Sequence, residues 1–561
     1  MGAPAGTTWR PDLAGRLVLL AVTLALWADR LRGPLDLRWD AGAYYATGVA
    51  LGEGRGYRLL NEPGDPEAVQ YPPGLPLIVA AAVRLLGTRD PDVVGEGLRT
   101  VWLLLSVVQL QLGYSLARRW LAPMGALAAG LAAALAFPTY YFSDLLFAEL
   151  PFAVVLGAFL LLDRRRDSRA RFALEAGLAA AAFLLRTLGL ALMLAWVGER
   201  LLARQWRAAL VRLAIAALPV AGWGAWVRSV TRSDEYRHPA YEYQRADYQY
   251  HNVPYASNLR LREPFVPEAG ALTTADLLQR VGRHAVALPQ HLASTLTTSK
   301  RLWSNVVVRT LQPVAPQAAG RTIGHLSLWA IGLAALLGIA LLAARGERRS
   351  VLAFALTAAM LCTTPWPEQF QRYLMPFAPF LAVAFVVAVK RLAGPGGPSL
   401  PARSRSILAA AAVAGLLAGG LVVARAAFRS RAIEPVALVG RSDASGGARP
   451  FYHDLPWQEL DRALEWIRER AALSDRIVSS EPHYAWIRTG LRAVLPPLVV
   501  EPAEALRLLD TVPARWVVVD RLRHLDASKR YALPAVASDP SRWERVFVTS
   551  ANGAQVFRRR D

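Results

Sequence analysis

Arg38-Trp39-Asp40-Ala41-Gly42-Ala43-Tyr44-Tyr45 follows closely on the first long apolar segment of the chain, Leu13 to Trp27, and a polar loop separates it from Tyr71-Pro72-Pro73-Gly74-Leu75-Pro76. Asp40 therefore lies where a chain leaving a membrane meets water and lipid headgroups, in an aromatic setting made by Trp39, Tyr44 and Tyr45. A partly desolvated carboxylate of this kind suits a general base toward a hydroxyl or an amine. Position alone would equally describe a loop carboxylate or a helix cap.

Composition supports the membrane reading. Of 561 residues, 54% are hydrophobic and only 19% charged, with a mean hydropathy of +0.26. The apolar residues gather in runs close to the roughly 20 residues that a spanning helix needs. Runs at 13–27, 98–117, 121–140, 144–162, 172–186, 188–203, 208–228, 323–343, 350–365, 372–390 and 406–428 predict about eleven spans. The first lacks a small-residue cleavage site and is read as a retained helix rather than a signal peptide. The net charge of +21 concentrates in short connections: Arg118-Arg119, Arg164-Arg165-Arg166, Arg204 to Arg212, Arg345 to Arg349, and Lys390 to Arg405. That is the pattern of cytoplasmic loops. No basic and aromatic module of groove size accompanies it, so nucleic acid is not an expected partner. Cys362 is the single cysteine, which excludes an intrachain disulfide.

The segment 71–86 would upset the sidedness of these clusters if it crossed the membrane. It is short, opens on two prolines, contains Arg84 and runs into acidic residues at 90–96, so it is read as a juxtamembrane helix on the outer interface. The N-terminus is then cytoplasmic and the C-terminal region external, or periplasmic, in a multi-pass protein of the inner (cytoplasmic) membrane. The membrane part is expected over 1–428, with external loops at 30–97 and 229–322 and external turns around Ser143-Asp144 and Thr363 to Arg372.

The loop 229–322 is rich in tyrosine, including Tyr241, Tyr243, Tyr248 and Tyr250, with His238 and His251 among them. Such residues suit sugar stacking and the headgroup interface alike. Beyond Arg429 the pattern becomes that of a soluble domain. Residues 430–561 predict a C-terminal α/β accessory domain, with strands at 476–479 and 515–520, helices around Leu460 to Ala471 and Glu504 to Leu509, and a terminal hairpin across Asn552-Gly553. Nothing in it has the spacing of a metal or nucleophile site.

Three further groups carry chemistry. Phe142-Ser143-Asp144-Leu145-Leu146-Phe147-Ala148-Glu149 places two carboxylates at a helix start. Ser143 or Asp144 can serve as a cap. Glu149 within the apolar zone costs about 2.5–3.5 kcal/mol on insertion scales and calls for a cavity or a partner. Arg186, in Leu185-Arg186-Thr187, and Arg372, in Gln371-Arg372-Tyr373-Leu374, fall at outer helix ends. A planar guanidinium holds two phosphate oxygens, although either arginine alone also fits snorkelling.

Trp39-Asp40 with Tyr44, Tyr71-Pro72-Pro73-Gly74, Ser143-Asp144 to Glu149, Leu185-Arg186-Thr187, and Arg372-Tyr373-Leu374 with Pro376 and Pro379 together resemble the GT-C superfamily of integral-membrane glycosyltransferases. The resemblance is to the bacterial group related to protein O-mannosyltransferases and lipid A aminoarabinose transferases, and it covers residues 39 to 379. It implies a cell-envelope transferase that passes a sugar from a polyprenyl-phosphate donor to a glycan, lipid or protein acceptor on the outer face. It implies Asp40 and Glu149 as catalytic acids and Arg372 and Arg186 as donor-phosphate contacts. Trp39, Tyr44, Tyr71, Asp144 and Tyr373 would then contact acceptor or sugar. A divalent cation on Asp40 and Glu149 stays open, because Asp144 and Glu149 are separated where the family often has paired acids.

A lipid-linked donor carries its own leaving phosphate, and the chain has no Walker or Rossmann glycine pattern for a nucleotide. The competing reading is a secondary transporter or lipid flippase, which would explain the spans and Glu149. Paired interrupted helices in two halves are not evident.

Overall fold

The structure is a computed structural model and describes residues 9–162, 168–394, 401–431, 436, 438, 449–522 and 526–560. Among these, six helices are long and apolar enough to cross a membrane: Arg10–Ala28, Pro91–Arg118, Trp206–Arg232, Gln317–Ala344, Pro367–Ala393 and Ala402–Arg429. The other runs expected to span form the shorter helices Pro123–Leu135, Glu149–Leu161, Arg169–Leu185, Leu190–Leu202 and Arg348–Cys362. Length and apolarity therefore mark six helices where the sequence predicted about eleven, and local chemistry explains part of the difference. The run at 121–140 breaks at Ala136, and Phe137–Phe142 restarts with Pro138 in its first turn, where a missing amide hydrogen costs nothing. The run at 144–162 becomes helical only at Glu149, because residues just before it pair with the first loop.

Ala378–Ala393 is buried along nearly its whole length and forms the centre of the bundle. Arg10–Ala28, by contrast, turns Leu13, Leu17, Val18 and Leu24 outward, as a lipid-facing helix should. Buried charge ties the helices together at one end. Glu175 meets Arg349 at 2.8 Å and Arg212 at 3.2 Å, and Arg349 also meets Glu199 at 2.7 Å. Helix Arg169–Leu185 carries Glu175 in its second turn and ends just before Arg186. At about 1.5 Å per residue the rise from Glu175 to Arg186 is roughly 16 Å.

The first loop contains two helices, Asp40–Gly52 and Gly74–Leu86, packed on each other. The loop 229–322 is less irregular than expected. It contains Thr274–Leu296, opened by a capping box between Thr273 and Asp276, and Lys300–Leu311, capped by Ser299.

The C-terminal region forms a five-stranded sheet from β1 (Arg476–Val478), β2 (Arg492–Val494), β3 (Trp516–Val519), β4 (Trp543–Val548) and β5 (Gln555–Arg559), in the order β2-β1-β3-β5-β4. β1 is parallel to β2 and β3, while β5 runs antiparallel to β3 and β4. The sequence missed β2, which is only three residues long. Much of the connection to the membrane part lies outside the described residues.

This sheet region is fastened to the first loop. Ala493 donates its amide to the Asn61 carbonyl at 2.7 Å, and Arg492 donates to the carbonyls of Leu60 and Glu62 at 2.8 Å each. Arg38 donates to the Phe451 carbonyl at 2.7 Å while its guanidinium meets Asp36 at 2.7 Å. Residues 36–62 and 451–493 thus form one continuous surface.

Candidate active site

Two backbone devices bring distant motifs together. Asp36 donates its amide to the Asp144 carbonyl at 3.0 Å, and Leu146 donates back to the Asp36 carbonyl at 3.1 Å. This short parallel bridge sets Asp40, the first residue of its helix, near Glu149, the first residue of another. Gly74 brings in the third motif, since a Cβ there would lie 2.6 Å from the Leu184 carbonyl oxygen. The Tyr-Pro-Pro-Gly turn can therefore lie directly on the backbone that leads into Arg186.

Trp39 caps the Asp40 helix with φ 56° and ψ −139°, a conformation that costs a non-glycine residue on the order of 1–3 kcal/mol. Its ring is held edge-on to Trp457, with centroids 5.5 Å apart, and the Arg38 guanidinium stacks 4.6 Å from it. The C-terminal region thereby helps hold the turn that aims Asp40.

Four charges meet at the centre. Arg372 donates from Nη1 to Asp40 Oδ2 at 2.6 Å and from Nε to Glu149 Oε1. Arg186 Nη1 lies 2.7 Å from the same Glu149 oxygen. Glu149 is fully buried and Asp40 remains 17% exposed, so the charge open to a ligand is at Asp40. The Phe147 ring backs the Arg372 guanidinium at 3.8 Å, and the Tyr373 ring backs that of Arg186 at 4.7 Å. Burial works to raise the Asp40 pKa, but the adjacent Arg372, helped by His251, holds it below the usual carboxylate value.

Asp40 and Arg372 stand in a wall shared by two cavities, together with Tyr250 and Tyr373. The smaller, about 180 Å³, has Arg186, Tyr44 and Tyr71 on its polar side and Leu185, Leu188 and Met360 on its apolar side. Tyr44 and Tyr71 lie against each other there, tilted by 32° with 4.8 Å between centroids. The larger, about 540 Å³, is lined by Trp39, Tyr250, His251, Trp366 and, from the C-terminal region, residues 480–483 and Leu495. The region read from sequence as accessory is therefore a wall of the site.

Of the sequence candidates, Asp40, Glu149, Arg186, Arg372, Trp39, Tyr44, Tyr71 and Tyr373 converge here. Asp144 does not. It is buried in a separate ion cluster, 2.7 Å from Arg99 and 3.1 Å from Arg30, and lines neither cavity. Sequence reasoning missed His483, which lies in an ordinary-looking Glu481-Pro482-His483 turn; only its fold position gives it meaning. His251 was visible as part of a tyrosine-rich loop, but not as a neighbour of Asp40, whose Oδ1 is 3.8 Å from its Nε2.

The candidate ligands for a divalent cation are Asp40 and Glu149. Both candidate ligands are already bridged by one guanidinium, and among the described residues no group of three or more His, Cys, Asp or Glu is arranged to hold a metal.

No family model and no curated protein matches the chain. Solved structures do. The Archaeoglobus fulgidus oligosaccharyltransferase tethered to an acceptor peptide containing the NVT sequon aligns over 99% of this chain and 74% of its own, at 14% identity and a TM-score of 0.52. The same enzyme in complex with Zn and sulfate aligns over 97% and 73%, at 13% identity and a TM-score of 0.49. ArnT from Cupriavidus metallidurans bound to undecaprenyl phosphate aligns over 99% and 98%, at 14% identity and a TM-score of 0.41. Likeness at this identity speaks for the fold alone: this chain shares its fold with the oligosaccharyltransferase over nearly its whole length.

Proposed function

We propose that this protein transfers a glycosyl group, a hexose or pentose, from a polyprenyl-phosphate donor to an acceptor hydroxyl on the outer face of the cytoplasmic membrane. The observation that carries this reading is the set of two acids and two arginines, of which Asp40 and Arg372 stand in the wall between two cavities. The two cavities give two substrates separate places beside Asp40.

The smaller cavity suits the donor. Its arginines suit the phosphate and its leucine and methionine side suits the lipid tail, while Tyr44 and Tyr71 border the sugar. The acceptor enters the larger cavity. Its hydroxyl loses a proton to Asp40 as the oxygen attacks the anomeric carbon, and the bond from that carbon to the phosphate oxygen breaks with its electron pair.

Charge is conserved locally through this step. With both acids ionised, Asp40, Glu149, Arg186 and Arg372 sum to zero. When Asp40 takes the proton they sum to one positive charge as the leaving phosphate gains one negative charge. A preorganised cluster of this kind stabilises the charge that develops in the transition state. Glu149 keeps both arginines in place without exposing its own carboxylate.

The test is transfer of radiolabelled sugar from polyprenyl-phosphate donors by membranes bearing wild type or Asp40→Asn. The amide keeps the shape and the contact with Arg372 but cannot take a proton, so turnover is expected to fall by about 10²–10⁴. Undiminished turnover would remove Asp40 as the base.

A further inference from the structure

The larger cavity has a wall chemistry that proton abstraction does not require. Its lining includes the acids Asp40, Glu62, Glu368 and Glu481, and Arg372 is its one arginine or lysine among the described residues. That arginine also borders the smaller cavity, where the donor phosphate would take it. Burial pushes His251 down to about 4 and His483 well below an ordinary imidazole, so both rings are neutral at neutral pH. An acceptor carrying a phosphate or carboxylate would find no second arginine or lysine here among the described residues, and would meet the Asp40 carboxylate, of its own sign.

The cavity does offer flat apolar faces, from Trp39, Tyr250 and Trp366, and neutral ring nitrogens. The His251 and His483 rings meet edge to face with centroids 4.4 Å apart. His251 Nδ1 and His483 Nε2 are buried without a protein partner, a cost that a ligand hydroxyl would relieve. The volume of about 540 Å³ lies within the range of roughly 300–1,000 Å³ found for small-molecule sites.

We propose that the acceptor received in this cavity is an uncharged carbohydrate, and that residues 480–483 of the C-terminal region, His483 above all, select it. The proposal rests on the transfer reading above and names the substrate class of that same site.

Purified full-length protein in lipid nanodiscs is given radiolabelled polyprenyl-phosphate sugar donors with three acceptor sets: neutral methyl glycosides and short oligosaccharides, their 6-phosphates, and Ser/Thr peptides. The expected result is transfer to neutral carbohydrate, with kcat/KM at least about tenfold above that for the phosphorylated set, as one unpaired charge in the site would impose. Preferred transfer to phosphorylated sugar or to peptide overturns the proposal and leaves the transfer reading standing. Absence of donor consumption with every set overturns both.

His483→Ala is expected to raise the acceptor KM about tenfold while the donor KM moves less than about twofold, and His483→Gln to recover part of the loss. Equal effects on both substrates would make His483 merely structural and overturn its selective role. Should His483→Ala fail to fold, Glu368→Lys gives an independent reading from an exposed position at the cavity. It is expected to narrow the preference against phosphorylated acceptors, and an unchanged preference overturns the proposal.

Discussion

A Cβ placed on Gly42 would lie 2.7 Å from the Cβ of His483. The missing side chain two residues after Asp40 is thus what allows the C-terminal region to close over the helix that carries it. Gly42→Ala is expected to push His483 away, lowering transfer sharply and costing about 1–3 kcal/mol of stability through overpacking. Gly177→Ala is the matched control, since a Cβ in that helix meets nothing within 4 Å. It should be neutral or slightly stabilising, because alanine favours the helix. Thermal unfolding and transfer measured side by side on the two variants check both statements.

Arg372 is bonded to two carboxylates through two different nitrogens, a geometry that lysine cannot reproduce. Arg372→Lys is accordingly expected to be inactive. Arg372→Met leaves Glu149, which is fully buried, with Arg186 alone, and should destabilise the protein by about 3 kcal/mol. Adding Glu149→Gln removes the stranded charge and should recover part of that stability without restoring transfer. A double-mutant cycle on the two positions measures the coupling, and additive losses would contradict it.

These buried pairs show how far the sequence could be read. Asp40, Glu149, Arg186 and Arg372 were legible because a charged residue beside an apolar run needs a reason to be there. Their mutual arrangement was not, since it depends on the bridge between Asp36 and residues 144–146 and on the close approach at Gly74. Asp144 looked like Glu149 in sequence, and only the positions of Arg30 and Arg99 separate them. Strands β1, β3, β4 and β5 announced themselves through runs of β-branched and aromatic residues, whereas the partnership of His483 with His251 leaves no trace at a separation of more than 200 residues. Helix Thr274–Leu296 was foreshadowed by Thr273 and Asp276, a capping pair hidden by the polar surroundings.

Acid should act on the site in a defined order. His251 is lowered to about 4 from an ordinary value of 6.5, so the unfolded chain binds more protons between those values and stability rises with pH across that window. Asp40 is also lowered, and its contribution is lost only as pH falls below the usual carboxylate range. The expected transfer rate is therefore flat from about pH 6 to 8, without the inflection near 6.5 that an ordinary histidine base would give. Thermal unfolding of wild type and His251→Gln between pH 4 and 7 checks the stability half, because the glutamine variant should lose its share of a slope to which the buried His483 and His291 also contribute.

Orientation can be read chemically. Leu473 is 90% exposed, and the single native cysteine, Cys362, is buried. Leu473→Cys should be labelled by a membrane-impermeant maleimide in intact cells while wild type stays dark. Protection of Leu473→Cys until the cells are broken would place the sheet region, and the catalytic face with it, in the cytoplasm.

The fastening of residues 36–62 to residues 451–493 also has a consequence for biosynthesis. Asp40 emerges early from the ribosome and His483 very late, so the chamber between them lacks part of its wall until the sheet has been made and folded. A nascent chain that already has its bundle and all four central charges would still present the acid to open water. On the proposed transfer reading, a copy without its sheet would have neither a complete acceptor wall nor anything to keep water from the acid.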